Sequence, residues 1–138
     1  MKELLSLLRA MYLYAHNCHH LVKGGSFFTD HNFFKDTYSA LQGDYDDVAE
    51  RIVGLYGEEP LQLQRILGRA SSIIADAPSV GVESNKVYFQ YQLGLEDKLC
   101  NIVYEILEKS VTAGTEQLIT EICNKAESRK YFIKQRLK

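Results

Sequence analysis

The chain has 138 residues, 46% hydrophobic and 25% charged, a composition suited to one soluble domain around a single core. Sixteen basic residues against eighteen acidic ones leave a formal net charge of −2, so no global positive field draws in nucleic acid. No apolar run approaches the ~20 residues needed to cross a bilayer, and the first residues lack the apolar core of a secretion signal. The three cysteines, Cys18, Cys100 and Cys123, are odd in number and follow no CxxC spacing. They read as buried thiols of a reducing, cytoplasmic compartment rather than a disulfide frame.

The first predicted helix spans about Lys2 to Val22, with Leu4, Leu5, Leu8, Met11, Tyr12, Ala15 and His19 at helical spacing. Lys23-Gly24-Gly25-Ser26 then stops it and turns the chain. The second predicted helix runs from Thr29 to Tyr56, with Thr29 or Asp30 as its cap and Gly54 and Gly57 near its end. Its apolar stripe is Phe34, Tyr38, Leu41, Tyr45, Val48, Ile52 and Leu55, in steps of four and three. A second stripe, His31, Lys35, Ser39, Gln42, Asp46 and Glu50, keeps the same alternation roughly 120° away around the axis. One face therefore packs inward and the other is free to meet something else.

Residues 57–83 form a connection with a short helix expected from Pro60 to Leu67, where proline suits a first turn. A third long helix starts near Ser84 or Asn85 and carries Tyr88, Tyr91, Leu95, Leu99, Ile102 and Ile106 inward. Ser110 to Thr115 turns the chain through Gly114. The last helix runs from about Glu116 to Arg136, with Leu118, Ile119, Ile122, Ala126 and Ile133 facing the core. Two short turns and one long crossover between the second and third long helices describe an all-α, ferritin-like four-helix bundle, one domain over residues 1–138.

The polar stripe of the second helix carries the chemistry. Asp46 and Glu50 are four apart, so their carboxylates lie over one another on one face. His31 shares that face but lies fifteen residues earlier, about 22 Å along a continuous helix. Metal–ligand bonds are only about 2.0–2.3 Å long, so these groups of one chain cannot share an ion. Two copies of the helix packed antiparallel about a two-fold axis near residue 39 bring His31 of one copy to Asp46 and Glu50 of the other. Ser39, Ala40 and Gly43 are small enough there for close contact. His19 lies just before the glycine turn, so a helical hairpin sets it beside His31. Two imidazoles, two carboxylates and open positions suit Fe(II) better than a closed zinc site, with zinc as an alternative occupant. The competing reading makes the stripe a solvated face of an ordinary helical interaction module.

The run from His19 through Lys23-Gly24-Gly25-Ser26 to His31 resembles the first helical hairpin of the Dps mini-ferritins, the DNA-protection proteins of starved cells. Asp46-Asp47-Val48-Ala49-Glu50-Arg51 is similar to that family's Asp-x-x-Ala-Glu-Arg motif at the matching distance from His31. Tyr38, Glu58-Glu59-Pro60 and Glu127-Ser128-Arg129-Lys130-Tyr131-Phe132 fit as well. The resemblance implies that His19 and His31 of one subunit, with Asp46 and Glu50 of its two-fold partner, are metal ligands and catalytic residues of a ferroxidase. It implies a hollow dodecamer that oxidises Fe(II), preferentially with hydrogen peroxide, stores the ferric product and protects against oxidative damage. Lys35 departs from the pattern, because the family usually has an aspartate there. A cation at that position repels the ion, and the alternative function is a structural shell with a weakened or inactive site. His20 stands where an aromatic residue is common, and with His16, His19 and Cys18 it forms a second, weaker metal-site candidate.

The basic residues Lys125, Arg129, Lys130, Lys134, Arg136 and Lys138 cluster at the C-terminus, where they also complement the helix dipole. With no lysine-rich arm before the first helix and a net charge of −2, DNA binding is expected to be weak or absent. Acidic pores are the iron route that the resemblance implies, and Glu116 and Glu121 are the candidates to line them.

Overall fold

The computed structural model describes all of residues 1–138 and contains helices only. The four long helices are α1 (Lys2–Leu21), α2 (Phe27–Tyr56), α4 (Lys86–Leu107) and α5 (Ala113–Leu137). The crossover between α2 and α4 contains a 3-10 turn, Glu59–Leu61, and the short helix α3 (Leu63–Ile73). α1 and α2 form one hairpin and α4 and α5 the other, while α3 lies against α1. The four-helix bundle with one long crossover is as expected. No helix is long and apolar enough to cross a membrane.

The core is one continuous cluster drawn from every helix. Leu4, Leu8 and Met11 of α1 meet Phe34, Leu41 and Val48 of α2, Leu95 and Leu99 of α4 and Ile119 and Ile122 of α5. Each of these aliphatic or aromatic side chains contributes about 1.5–3 kcal/mol by leaving water, which makes the stripes the main driving force. The stripe of α2 holds from Phe34 to Ile52, with Tyr38 only half-buried, and Leu55 is exposed. All three cysteines are free and buried.

Several boundaries differ from the sequence reading, each for a local reason. α2 begins at Phe27, with Ser26 at its cap position, so Thr29 and Asp30 are helical. Gly24 takes the left-handed conformation (φ 87°), which tightens the preceding turn and lets the helix start sooner. The crossover helix starts three residues late and runs further, because Pro60 sits in the 3-10 turn and Ile66 and Ala70 are buried on α3. Gly114 lies inside α5 rather than in the turn. Thr112 caps that helix by accepting from the Thr115 amide at 3.2 Å, so Ala113 and Gly114 become its first residues. Asn85 occupies the cap position of α4 but bonds elsewhere, and the Ser84 hydroxyl accepts from the Lys86 amide.

Asn85 and Asp30 belong to a knot that ties three helix ends to the first turn. Arg136 donates through Nε and Nη2 to both oxygens of Asp30 at 2.9 Å each, and Nη2 also reaches Ser26 Oγ. Asn85 donates to Asp30 Oδ2 at 2.9 Å and to the Lys23 carbonyl at 2.7 Å, and it accepts from the Lys23 amide. Burial alone would raise the Asp30 carboxyl, but hydrogen bonds from Arg136, Asn85 and Ser26 outweigh it and hold the pKa below its ordinary value. A carboxyl with a depressed folded pKa stabilises the fold fully above its unfolded value, about 3.9, and loses that contribution as pH falls through the folded value. Asp30→Asn is therefore expected to lower stability at neutral pH while narrowing the gap from the parent protein below about pH 4. Unfolding in urea at pH 7 and pH 3 measures this, and an equal loss at both values would refute it.

Candidate functional site

His19 near the end of α1 and His31 in the second turn of α2 are brought together by the glycine turn. Their rings stack with centroids 3.6 Å apart and planes 20° from parallel. Each ring also holds the other's backbone: His19 Nδ1 is 2.9 Å from the His31 carbonyl, and His31 Nδ1 is 2.7 Å from the His19 carbonyl. A carbonyl oxygen can only accept, so both Nδ1 atoms must donate and carry the proton. In the neutral imidazole that leaves the lone pair on Nε2, the tautomer a metal-binding histidine needs. Phe27 stacks on the far side of His31 at 4.8 Å, and Tyr38 stands edge-on to His19 at 5.4 Å. The Asp30 knot sits one residue before His31 and fixes the start of α2.

This pairing explains residues that the sequence did not distinguish. Phe27 is a wall of the stack although it precedes the expected helix. Tyr38, on the inward stripe, is half-buried at the edge of the core and also packs against His16 and His19. His16 and His20 lie beside the pair, 5.0 Å apart between centroids. Cys18 does not join them. It turns into the core against Tyr14, and burial there pushes its thiol up to about 12 although the Tyr14 hydroxyl acts to lower it. A His16, His19, His20 and Cys18 metal site is thus not assembled.

Asp46 and Glu50 are both exposed on α2, which runs from Phe27 to Tyr56 without a break. The rise of about 1.5 Å per residue places Asp46 about 22 Å from His31, as expected. No group of three metal-binding side chains within the chain includes any of His19, His31, Asp46 or Glu50. Lys35, Ser39 and Gln42 between them are exposed, and Lys35 makes no ion pair. A Cβ built on Gly43 meets nothing within 4 Å, so the middle of this face is open.

Glu121 shares an open groove with Asp47, Glu50, Arg51, Gly114 and Gln117, where the first turns of α5 pass the last turns of α2. Glu116 is exposed in the first turn of α5. Four of the six cations in the C-terminal basic cluster are paired within the chain. Arg129 pairs with Glu96, Arg136 with Asp30, Lys125 with Asp44 and Lys130 with Asp97, which leaves Lys134 and Lys138 unpaired.

The model of the ferritin-like domain matches residues 1–138. The nutrient stress-induced DNA-binding protein of Nostoc sp. is 26% identical over 133 residues, covering 94% of this chain and 71% of that protein. Its namesake from Synechococcus sp. is 27% identical over 135 residues, covering 94% and 73%. General stress protein 20U of Bacillus subtilis is 39% identical over 61 residues, 44% of this chain and 42% of that one. The X-ray structure of Dps from Thermosynechococcus elongatus matches with a TM-score of 0.85 over 99% of this chain and 87% of that one, at 23% identity, which shows a shared fold. The names of the two cyanobacterial relatives run against the expectation of weak DNA binding. A ferritin-like match over every residue and Dps-type relatives across nearly the whole chain identify the family: the chain belongs to the ferritin-like domain proteins, as a Dps-like mini-ferritin.

Proposed function

We propose that this chain takes Fe(II) as substrate, oxidises it preferentially with hydrogen peroxide, and stores the ferric product in a hollow dodecameric shell. Family membership supports iron storage and protection as the general role. Each oxidation site takes His19 and His31 from one subunit and Asp46 and Glu50 from its two-fold partner. The observation that carries this reading is the reciprocal clasp of His19 and His31. It holds two imidazoles as Nε2 ligands while their carboxylate counterparts lie on the same helix, out of reach within one chain. Two neutral nitrogens and two carboxylates neutralise a divalent ion and leave positions open for the oxidant. When peroxide oxidises two Fe(II) ions, it accepts one electron from each, and its oxygens leave as water or hydroxide. Anaerobic Fe(II) loading followed by peroxide is expected to give the ferric absorbance rise. A rise no larger than that of the His31→Ala/Glu50→Ala protein would defeat the catalytic claim.

Lys35 favours a second reading, a shell whose site binds iron weakly. Its ammonium is on the His31 face, one helical turn away, with no carboxylate partner of its own. Lys35→Asp is expected to raise the initial oxidation rate about tenfold, consistent with a change of two charges beside the ion at ~1.4 kcal/mol or more. An unchanged rate would show that the lysine does not bear on the site.

For DNA, the pairing of four of the six C-terminal cations within the fold supports weak binding by this chain, whatever its relatives do. Strong retardation of linear duplex by the assembled protein at ~150 mM salt would overturn that reading.

A further inference from the structure

We propose that Cys100, Cys123 and Glu127 form a binding site for a thiophilic d10 cation of the zinc class, separate from the iron-oxidation site. The two thiol sulfurs and a Glu127 carboxylate oxygen all lie within 4.8 Å of one another. They come from two pairs of residues four apart that face each other across α4 and α5: Cys100 with Tyr104, and Cys123 with Glu127. Such a spacing puts both members of a pair on one helix face, so each helix offers a two-pronged edge. Cys123 Sγ is 3.9 Å from Glu127 Oε1, and the Tyr104 hydroxyl donates to the same oxygen at 3.2 Å. Tetrahedral zinc with bonds of about 2.3 Å to sulfur and about 2.1 Å to oxygen needs S···S near 3.8 Å and S···O near 3.6 Å. The donors are thus within about an ångström of those separations before any ion enters.

The surroundings suit a soft cation that arrives from solvent. Both sulfurs are buried, whereas Glu127 and Tyr104 are exposed, so the carboxylate and phenol stand at the mouth above the thiols. Tyr104 holds Glu127 in place through one oxygen, an orientation typical of groups behind metal ligands. Lys130 is the cation bearing on Cys100, and it is already engaged by Asp97 at 2.6 Å. Two thiolates and one carboxylate favour zinc-class ions over Fe(II), whereas the His19 and His31 pair offers no sulfur. Burial and the hydrogen bond with Cys123 push the Cys100 thiol up to about 12. Thiols bind such an ion as thiolates and give up their protons in doing so. One divalent ion then forms two metal–sulfur bonds and displaces two protons to solvent, with no change of oxidation state.

The reduced, assembled protein, titrated with Cd2+ as the spectroscopic probe, is expected to develop a thiolate-to-cadmium ultraviolet band that saturates at one ion per chain. Zn2+ should abolish the band by competition, with about two protons released per ion bound to the free protein. Cys100→Ser and Cys123→Ser should each remove most of the band, and Glu127→Gln should weaken binding about tenfold. His31→Ala/Glu50→Ala should leave it intact. If the serine variants fail to assemble, thiol labelling of the parent protein decides. Zinc should protect two of the three cysteines. Labelling unaffected by zinc would overturn the proposal, as would a band that persists without both sulfurs.

Discussion

Co-expression of His31→Ala and Glu50→Ala subunits, each inactive when assembled alone, is expected to restore iron oxidation to roughly a quarter of the parental level. The arithmetic follows from a two-fold interface whose two sites each draw histidines from one subunit and carboxylates from the other. In a mixed dimer one site collects both substitutions and the other collects neither. Random pairing makes roughly half the dimers mixed, and half of the sites in those are whole. A site contained within one chain would yield no recovery from any mixture, because every chain carries a defect. Peroxide-driven ferric absorbance of the purified mixed shell, against shells of each variant alone, distinguishes the outcomes. Activity no higher than in the separate variants would refute the shared site even if the parent protein oxidises iron. Failure of the parent itself would instead refute the catalytic reading.

That expectation could be written from the sequence because helix geometry is rigid. Fifteen residues of uninterrupted helix have one length, and His31 and Asp46 must be about 22 Å apart whatever else the fold does. The same regularity made the bundle legible, since the stripes from Leu4 to Met11 and from Phe34 to Ile52 obey one period. What periodicity does not encode is partner choice among polar groups. Asp30 sits beside His31 in sequence and is buried, but its partners Arg136 and Asn85 are 106 and 55 residues away. The use of Arg129 and Arg136 as internal ion pairs was likewise invisible, so the C-terminus read as more basic towards solvent than it is. The imidazole clasp was legible only as proximity. The bonds from each Nδ1 to the opposite carbonyl depend on the backbone path through Gly24, which a spacing rule cannot supply.

The ion pair between Arg129 and Glu96 shows what such distant partners cost when one is lost. Glu96 has no exposed surface, and Arg129 donates to it through Nε at 2.6 Å and Nη2 at 2.9 Å, a two-pronged bond between α5 and α4. Gln92 adds one bond to Glu96 Oε1 at 2.9 Å while its own Oε1 lacks a partner. Arg129→Met would leave a buried carboxylate with that amide as its only remaining donor, and the expected loss is about 3–5 kcal/mol. The double variant Glu96→Leu/Arg129→Met removes both charges and fills the same space, so its stability is expected to stay within about 1–2 kcal/mol of the parent. Urea unfolding at one fixed subunit concentration compares the three proteins, since assembly itself contributes to the measured value. A single variant that loses less than about 1 kcal/mol would mean that water reaches Glu96 and screens it. A double variant as unstable as the single one would assign the loss to packing at the α4–α5 contact rather than to the stranded charge.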